Sequence, residues 1–357
     1  MSQRENVNPI REQNHRKNSR RYQKRAAARR RRNTIFIMEI VLLLILAVVL
    51  FFVSKLSKIE KTKLDMDKIE VNEDISQESR KIMKGYQTIA MFGLDNRSNG
   101  NLSQGRSDVI MLANINNDTK EVKLVSVYRD TYLDTGDGIF QKCNAAYAKG
   151  GPEQAISMLN VNLDLNITDY VTVDFNSIIE CVDLLGGVDM EITDDEASLM
   201  TGYIRELNEL TGNKAENLTQ GGTYTLNGVQ ACAYARIRYG GGDDYRRTER
   251  QRTVLTAMVK KAQQSDLTTV NKLINEVCGD IQTSFSNAEL LALASQVFQY
   301  SIGDTTGFPF TKTTKVLSKK TGDVVIPCDL SDNVKELHIF LYEDSAYTAS
   351  DTVKQNS

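Results

Sequence analysis

Histidine is nearly missing from this chain: there are two in 357 residues, His15 and His338. So few all but exclude a Ser-His-Asp triad or a His-rich zinc site. Any chemistry has to run on carboxylates, Arg, Lys, Tyr or a hard metal ion. Cysteine is also scarce, with Cys143, Cys181, Cys232, Cys278 and Cys328, and no two are spaced as CxxC. That spacing argues against a zinc ribbon or a redox dithiol. The odd number leaves at least one thiol free or paired between chains. Cys181 and Cys232 lie in apolar runs and read as core. A Cys278–Cys328 disulfide stays open, with nothing in the sequence favouring it.

What is present is unevenly spread. The formal net charge of -2 conceals a split. Residues 1–33 carry 12 Lys and Arg against two Asp and Glu, while the remainder carries 32 against 44. A basic arm is thus joined to an acidic body. Residues 34–53, TIFIMEIVLLLILAVVLFFV, follow the arm. Twenty residues rising about 1.5 Å each span about 30 Å, the thickness of a bilayer's hydrocarbon core. Glu39 lies close enough to the run's start to sit at the interface. No small-residue cleavage site follows, so the run reads as an uncleaved single-pass anchor. The basic arm places the N-terminus in the cytoplasm and the body outside the cell membrane. The same charges could contact nucleic acid, but the topology rule already explains them, and no nucleic-acid partner is expected.

Residues 54–86 are polar and read as a juxtamembrane stalk. From 87 the pattern changes to a domain expected over 87–342. QTIAMFGL (87–94), DVIMLANI (108–115) and DYVTVDF (169–175) read as strands, as do EVKLVSV (121–127) and VDMEI (188–192). Pro152 suits the first turn of a helix through 153–160. Further helices are expected at 177–185, 226–236, 247–264, 267–277, 287–299 and 331–341, and short strands near 313–317 and 323–327. The interleaving predicts an α/β fold, a mixed central sheet flanked by helices. The segment 343–357, rich in Ser, Thr and Asp, reads as a disordered tail.

Arginine placement carries the functional argument. Residues 34–357 hold 11 Arg, and nine fall at Arg97, Arg106, Arg129 and a cluster of Arg236, Arg238, Arg246, Arg247, Arg250 and Arg252. A guanidinium fork suits phosphate oxygens, so a concentration of Arg in an acidic body suggests a polyanion site. On a helical wheel with Arg247 at zero, Arg250 falls about 60° to one side and Gln251 about 40° to the other, with Val254 and Met258 within about 20°. Arg247, Arg250 and Gln251 therefore share the apolar face, while Arg246, Glu249 and Arg252 point elsewhere. Inward guanidinium groups need partners. A structural ion pair with Asp243 or Asp244 is one answer and a bound phosphate is the preferred one. Asp95 and Asp108, at the edges of two adjacent strands beside Arg97 and Arg106, suit Mg2+ bridging a pyrophosphate. Arg129 and Asp130 follow the third strand, where sites of open α/β sheets lie.

The succession GLDNR (93–97), GRSD (105–108), SVYRDT (126–131), KCNAAYAKGG (142–151), DYVTVDF, DLLGGVDMEI (183–192), LNGVQACAYARIR (226–238) and DDYRRTERQR (243–252) resembles the LytR-CpsA-Psr family over about 87–265. The resemblance implies an αβα domain with a mixed sheet. It also implies a phosphotransferase that moves a teichoic acid, capsular polysaccharide or similar polymer from undecaprenyl pyrophosphate to peptidoglycan through a phosphodiester. It implies Asp95 and Asp108 as ligands of Mg2+, with Mn2+ as the substitute. Arg97, Arg106, Arg129, Lys142, Arg236, Arg238, Asp244, Arg247, Arg250 and Gln251 would surround the pyrophosphate, with Asn144 nearby. Arg129, Arg106 and Asp130 would be the catalytic group, Asp130 the first choice of base. A greasy tunnel would take the prenyl chain. The expected partners are a polyprenyl-pyrophosphate-linked glycan, a peptidoglycan acceptor and the bilayer. Two departures stand out: Tyr128 where the family often has Pro, and the run Gly240–Gly242 before Asp243. The alternatives are a prenyl-phosphate-binding sensor or carrier and a lipid pyrophosphatase.

Overall fold

The computed structural model describes residues 60–61, 64–94, 102, 105–136, 138–238, 243–266, 269, 272–273, 281–319 and 321–357. The expected membrane span lies outside these residues. No helix among the described residues is long and apolar enough to cross a membrane.

Seven strands form the central sheet. They are β1 (Glu60–Lys61), β2 (Tyr86–Leu94), β3 (Ser107–Asn116), β4 (Glu121–Val127), β7 (Asp169–Asp174), β10 (Ile281–Thr283) and β11 (Ser301–Phe308), in the order β1-β10-β7-β2-β3-β4-β11. β2, β3 and β4 run as an antiparallel meander, whereas β7 pairs parallel with β2 and β11 parallel with β4. The sheet is mixed, as the sequence predicts. Alternation along the strands feeds two cores. Ala90, Phe92, Ile110, Leu112 and Val125 pack with helix α2 (Ala145–Leu163) and helix α8 (Leu330–Tyr342). Ile89, Met111, Ala113 and Leu124 face the other way, toward Leu255 of α6 (Asp243–Gln264) and Leu290 of α7 (Asn287–Ser295). Period-2 burial on both faces makes a three-layer α/β/α body.

A third cluster joins α3 (Phe175–Leu184), α4 (Asp194–Thr211), α5 (Gly228–Arg236) and α6 to the hairpin β8 (Val188–Ile192) and β9 (Gly222–Leu226). Helix α4 was not anticipated, although its start is written in the sequence. Thr193 and Glu196 form a reciprocal capping box. Gly228 opens α5 where no Cβ would fit against the Ile179 carbonyl, so α3 and α5 pack closely. Two small hairpins complete the set: β5 (Tyr132–Asp134) with β6 (Phe140–Lys142), and β12 (Lys312–Ser318) with β13 (Gly322–Pro327).

Two expected boundaries are corrected. Most of the expected stalk belongs to the domain: β1 joins the central sheet, and Ile69 and, in α1 (Gln77–Met83), Met83 are buried in the core. The expected disordered tail is packed, with Tyr347 and Val353 buried and α9 (Asp351–Gln355) capped by Ser350. Buried Asp164 gathers this end of the chain, accepting from Asn72 Nδ2 at 2.5 Å, from the Ser350 amide at 2.8 Å and from the Tyr347 hydroxyl. The helix expected at 153–160 starts eight residues earlier, at Ala145, and is kinked at Gly150 and Gly151, with Pro152 opening the second half. Cys143, Cys181 and Cys328 are free thiols; Cys278 lies outside the described residues.

Candidate functional site

β2, β4, β7 and β11 all end at the same edge of the sheet, and β3 begins there, because Leu94 pairs with Ser107 and Asp174 and Phe308 pairs with Val127. Side chains at this edge converge on a cavity of about 400 Å³ lined by Asp108, Arg129, Phe175, Tyr203, Glu206, Arg236, Arg238, Arg247 and Gln251.

Arg129 is fixed by the turn that leaves β4. The Asn144 amide donates to the Arg129 carbonyl at 3.1 Å, and the Cys143 thiol donates to the Tyr128 carbonyl at 3.2 Å. Its Nη1 donates to Asp108 Oδ1 at 2.5 Å and its Nε lies 3.7 Å from Asp130 Oδ2. Burial opposes the charge on Arg129, but Asp108, Asp130 and Asp244 outweigh it and hold its pKa above the usual value. Arg236, in the last turn of α5, pairs with Glu206 at 3.3 Å and lies over the rings of Phe175 and Tyr203. Asp244, in the first turn of α6, holds Arg247 at 3.0 Å and Arg238 at 3.4 Å. The expected ion pair is therefore present at Asp244, and Arg238 and Arg247 still face the cavity. Burial brings Arg247 down to about 10, with Asp244 opposing that and the nearby Arg129 and Arg238 adding to it. It remains a cation at neutral pH. Its Nε and the Gln251 Oε1 are buried without a hydrogen-bond partner. Three cations crowded this way have the chemistry to compensate a multivalent anion.

A second cavity of about 110 Å³ shares Phe175 and Gln251 with the first. Apart from Asp174 its other walls are apolar, including Met91, Val171, Ile178, Val254, Leu255 and Met258. It lies between the sheet and helices α3, α5 and α6. A greasy space thus opens beside the arginines.

Several expected site residues are elsewhere. Arg250 is turned out of the polar cavity, its Nε 3.0 Å from Glu196 Oε1 and its guanidinium over Tyr234. Lys142 does not line the cavity but pairs with Asp130 at 2.9 Å. Asp130, with one oxygen toward Lys142 and the other toward Arg129, is not in the lining either. Asn144 is buried beneath Arg129. Arg106 is exposed beside β3 and outside the lining. Asp95 and Arg97 lie outside the described residues. The sequence reading missed Phe175, Tyr203 and Glu206, and the capping box of α4 was the available signal for the last two.

Tyr128 is buried, its ring 4.6 Å from that of Tyr245, with Lys312 Nζ over both rings. Burial pushes its hydroxyl up to about 12. Tyr128 therefore ties β4 to α6 and to the β12–β13 hairpin. Gly240–Gly242 lie outside the described residues.

The model of the LytR_cpsA_psr family matches residues 46–315 of the chain. A polyisoprenyl-teichoic acid–peptidoglycan teichoic acid transferase TagU of Enterococcus faecalis is 30% identical over 210 residues, 58% of this chain and 64% of that protein. The corresponding TagV of Bacillus subtilis is 30% identical over 195 residues, 53% of this chain and 48% of that protein. The matches thus span less than two thirds of the length of these relatives. Among solved structures, a LytR-CPS2A-psr family protein, YwtF (TagT), with bound octaprenyl pyrophosphate lipid superposes with a TM-score of 0.56. That match has 20% identity and covers 78% of this chain and 99% of that one.

Proposed function

The chain belongs to the LytR-CpsA-Psr family, and on that premise we propose that it is a membrane-anchored glycopolymer phosphotransferase. It takes a glycan from polyprenyl pyrophosphate, for which undecaprenyl pyrophosphate is the expected donor, and joins it to peptidoglycan through a phosphodiester. The observation that carries this reading is the meeting of Arg129, Arg236, Arg238 and Arg247 at one cavity whose far wall opens on an apolar one. Such a pair suits an amphiphile with a diphosphate head and a hydrocarbon tail. The octaprenyl pyrophosphate in a family structure has that chemistry.

In the reaction an acceptor hydroxyl attacks the phosphorus that bears the glycan. The bond from that phosphorus to the bridging oxygen breaks, the acceptor proton passes to a base or to solvent, and polyprenyl phosphate leaves. Arg129, Arg236, Arg238 and Arg247 compensate the charge that grows on the leaving phosphate, and such preorganised donors supply most of the rate in phosphoryl transfer. Asp108, Asp130, Glu206 and Asp244 hold these cations in place, a positioning role that fits Asp130 better than that of base. Arg106 is left outside the set.

The metal ion of this reading is Mg2+, or Mn2+ in its place, with Asp108 as its ligand among the described residues. Among the described residues no three His, Cys, Asp or Glu could hold an ion unaided. Mg2+, however, takes one or two carboxylates plus substrate phosphates. Asp108 is such a carboxylate in the cavity wall, and Asp95 is the second by sequence. When bound, the ion would supply positive charge to the substrate's diphosphate.

The test is to incubate the full-length protein with a lipid-linked glycan and peptidoglycan. Wall-linked polymer and released polyprenyl phosphate are expected. Bound, unconverted donor would favour a sensor or carrier, and free phosphorylated glycan a pyrophosphatase.

A further inference from the structure

Arg252 lies on the opposite flank of α6 from the diphosphate cavity. It is 7% exposed, and its Nε donates to Thr305 Oγ1 of β11 at 3.3 Å. Its Nη1 is buried with no hydrogen-bond partner. Arg129, Arg236, Arg238, Arg247 and Arg250 each have a carboxylate within 4 Å, whereas Arg252 has none among the described residues. The neighbouring Tyr128 hydroxyl, pushed up to about 12, stays neutral, and the charge of exposed Glu249 reaches Arg252 only from beyond ion-pair distance. A buried cation without a contacting carboxylate is costly.

The Arg252 side chain forms part of the wall of a cavity of about 430 Å³ between α6, β11 and the exposed edge of β8. Lys260 and Lys261, about two turns further along α6, also line it, with the Thr256 side chain between. Asp189, the carboxylate in the lining, is itself exposed and lies 3.7 Å from Lys261. Three cations thus face one carboxylate, in a body where acids outnumber bases 44 to 32.

We propose that this cavity is a second anion subsite, which takes a phosphodiester of an anionic glycopolymer. A guanidinium fork with two flexible ammonium groups matches a tetrahedral phosphate. The two anion sites lie on opposite flanks of one helix. A ligand engaging both must carry phosphate repeatedly along a chain, which selects phosphate-bearing polymers over neutral polysaccharides as the glycan. The link to transfer rests on the function proposed above, whereas binding at the subsite does not.

The experiment is calorimetry on the full-length protein in detergent at two salt concentrations. The probes are a glycerol-phosphate oligomer, an uncharged dextran oligomer of equal length, inorganic phosphate and octaprenyl pyrophosphate. The glycerol-phosphate oligomer is expected to bind in a salt-dependent way and the dextran oligomer not to bind. Lys260→Gln with Lys261→Gln should weaken the oligomer by about tenfold and leave octaprenyl pyrophosphate unchanged, and Arg252→Gln should act in the same direction. If the Arg252 variant fails to fold, the lysine variant decides alone. Unchanged oligomer binding in the lysine variant, or equal binding of dextran, overturns the proposal. So does inorganic phosphate binding as well as the oligomer. Lysine-dependent oligomer binding without octaprenyl pyrophosphate binding would sink the function proposed above and leave the subsite standing.

Discussion

At neutral pH Arg247 is a cation that burial depresses first, with Arg129 and Arg238 adding to this and Asp244 opposing it. An anion bound in the cavity would add to the compensation that Asp244 already supplies to the set. Arg238 is the most open of the set, 42% exposed at its side chain and held by Asp244 at 3.4 Å. Arg238→Ala should therefore fold normally and lose about 100-fold or more in kcat for transfer, as measured by release of polyprenyl phosphate. A kcat within threefold of wild type would remove Arg238 from the mechanism. His338 gives a second residue-scale prediction. Its Nε2 lies 3.0 Å from the Leu163 carbonyl, its ring stacks on Tyr347, and burial lowers it from 6.5 to about 4. A folded value below the unfolded one means the unfolded chain binds more protons between those limits. Stability is therefore complete above pH 6.5 and falls as the pH drops toward 4, by on the order of 3 kcal/mol. Urea midpoints across that range should fall more steeply for wild type than for His338→Gln, and parallel curves would refute this.

At the scale of elements, what was legible in the sequence was each helix's or strand's own face. Apolar runs mark β2 and β3, alternation marks β4 and a strand-like pattern marks β7, all close to their observed limits, and the wheel puts Arg247, Gln251, Val254 and Met258 on the inward face of α6. What was not legible was the neighbour on each flank. The wheel places Arg250 in the phosphate wall, but α4, whose first turn carries Glu196, draws it away. Arg252 was read as pointing away from the site and does so, but β11, also unseen, buries it. The C-terminal segment was judged by composition, which cannot show that Tyr347, Ser350 and Val353 fill a space beside Asp164. Deleting residues 344–357 should leave that carboxylate short of two donors and expose core. The expected loss is about 3 kcal/mol, seen as a fall of roughly 10 °C in Tm. A Tm within 2 °C of the full chain would contradict the packing described.

At the scale of the whole molecule, the fold brings groups from β3, the β4 turn, the last turn of α5 and its exit, and α6 to one edge of the sheet, with an apolar space beside them. The central claim is that this edge holds a lipid-linked diphosphate. A crystal structure of the protein soaked with a short-chain prenyl pyrophosphate and Mg2+ tests it most directly. The account predicts both phosphates among Arg129, Arg236, Arg238 and Arg247, with the chain running past Gln251 toward Val254 and Met258. A diphosphate bound elsewhere, or a prenyl chain left in solvent with that apolar cavity unfilled, would contradict it.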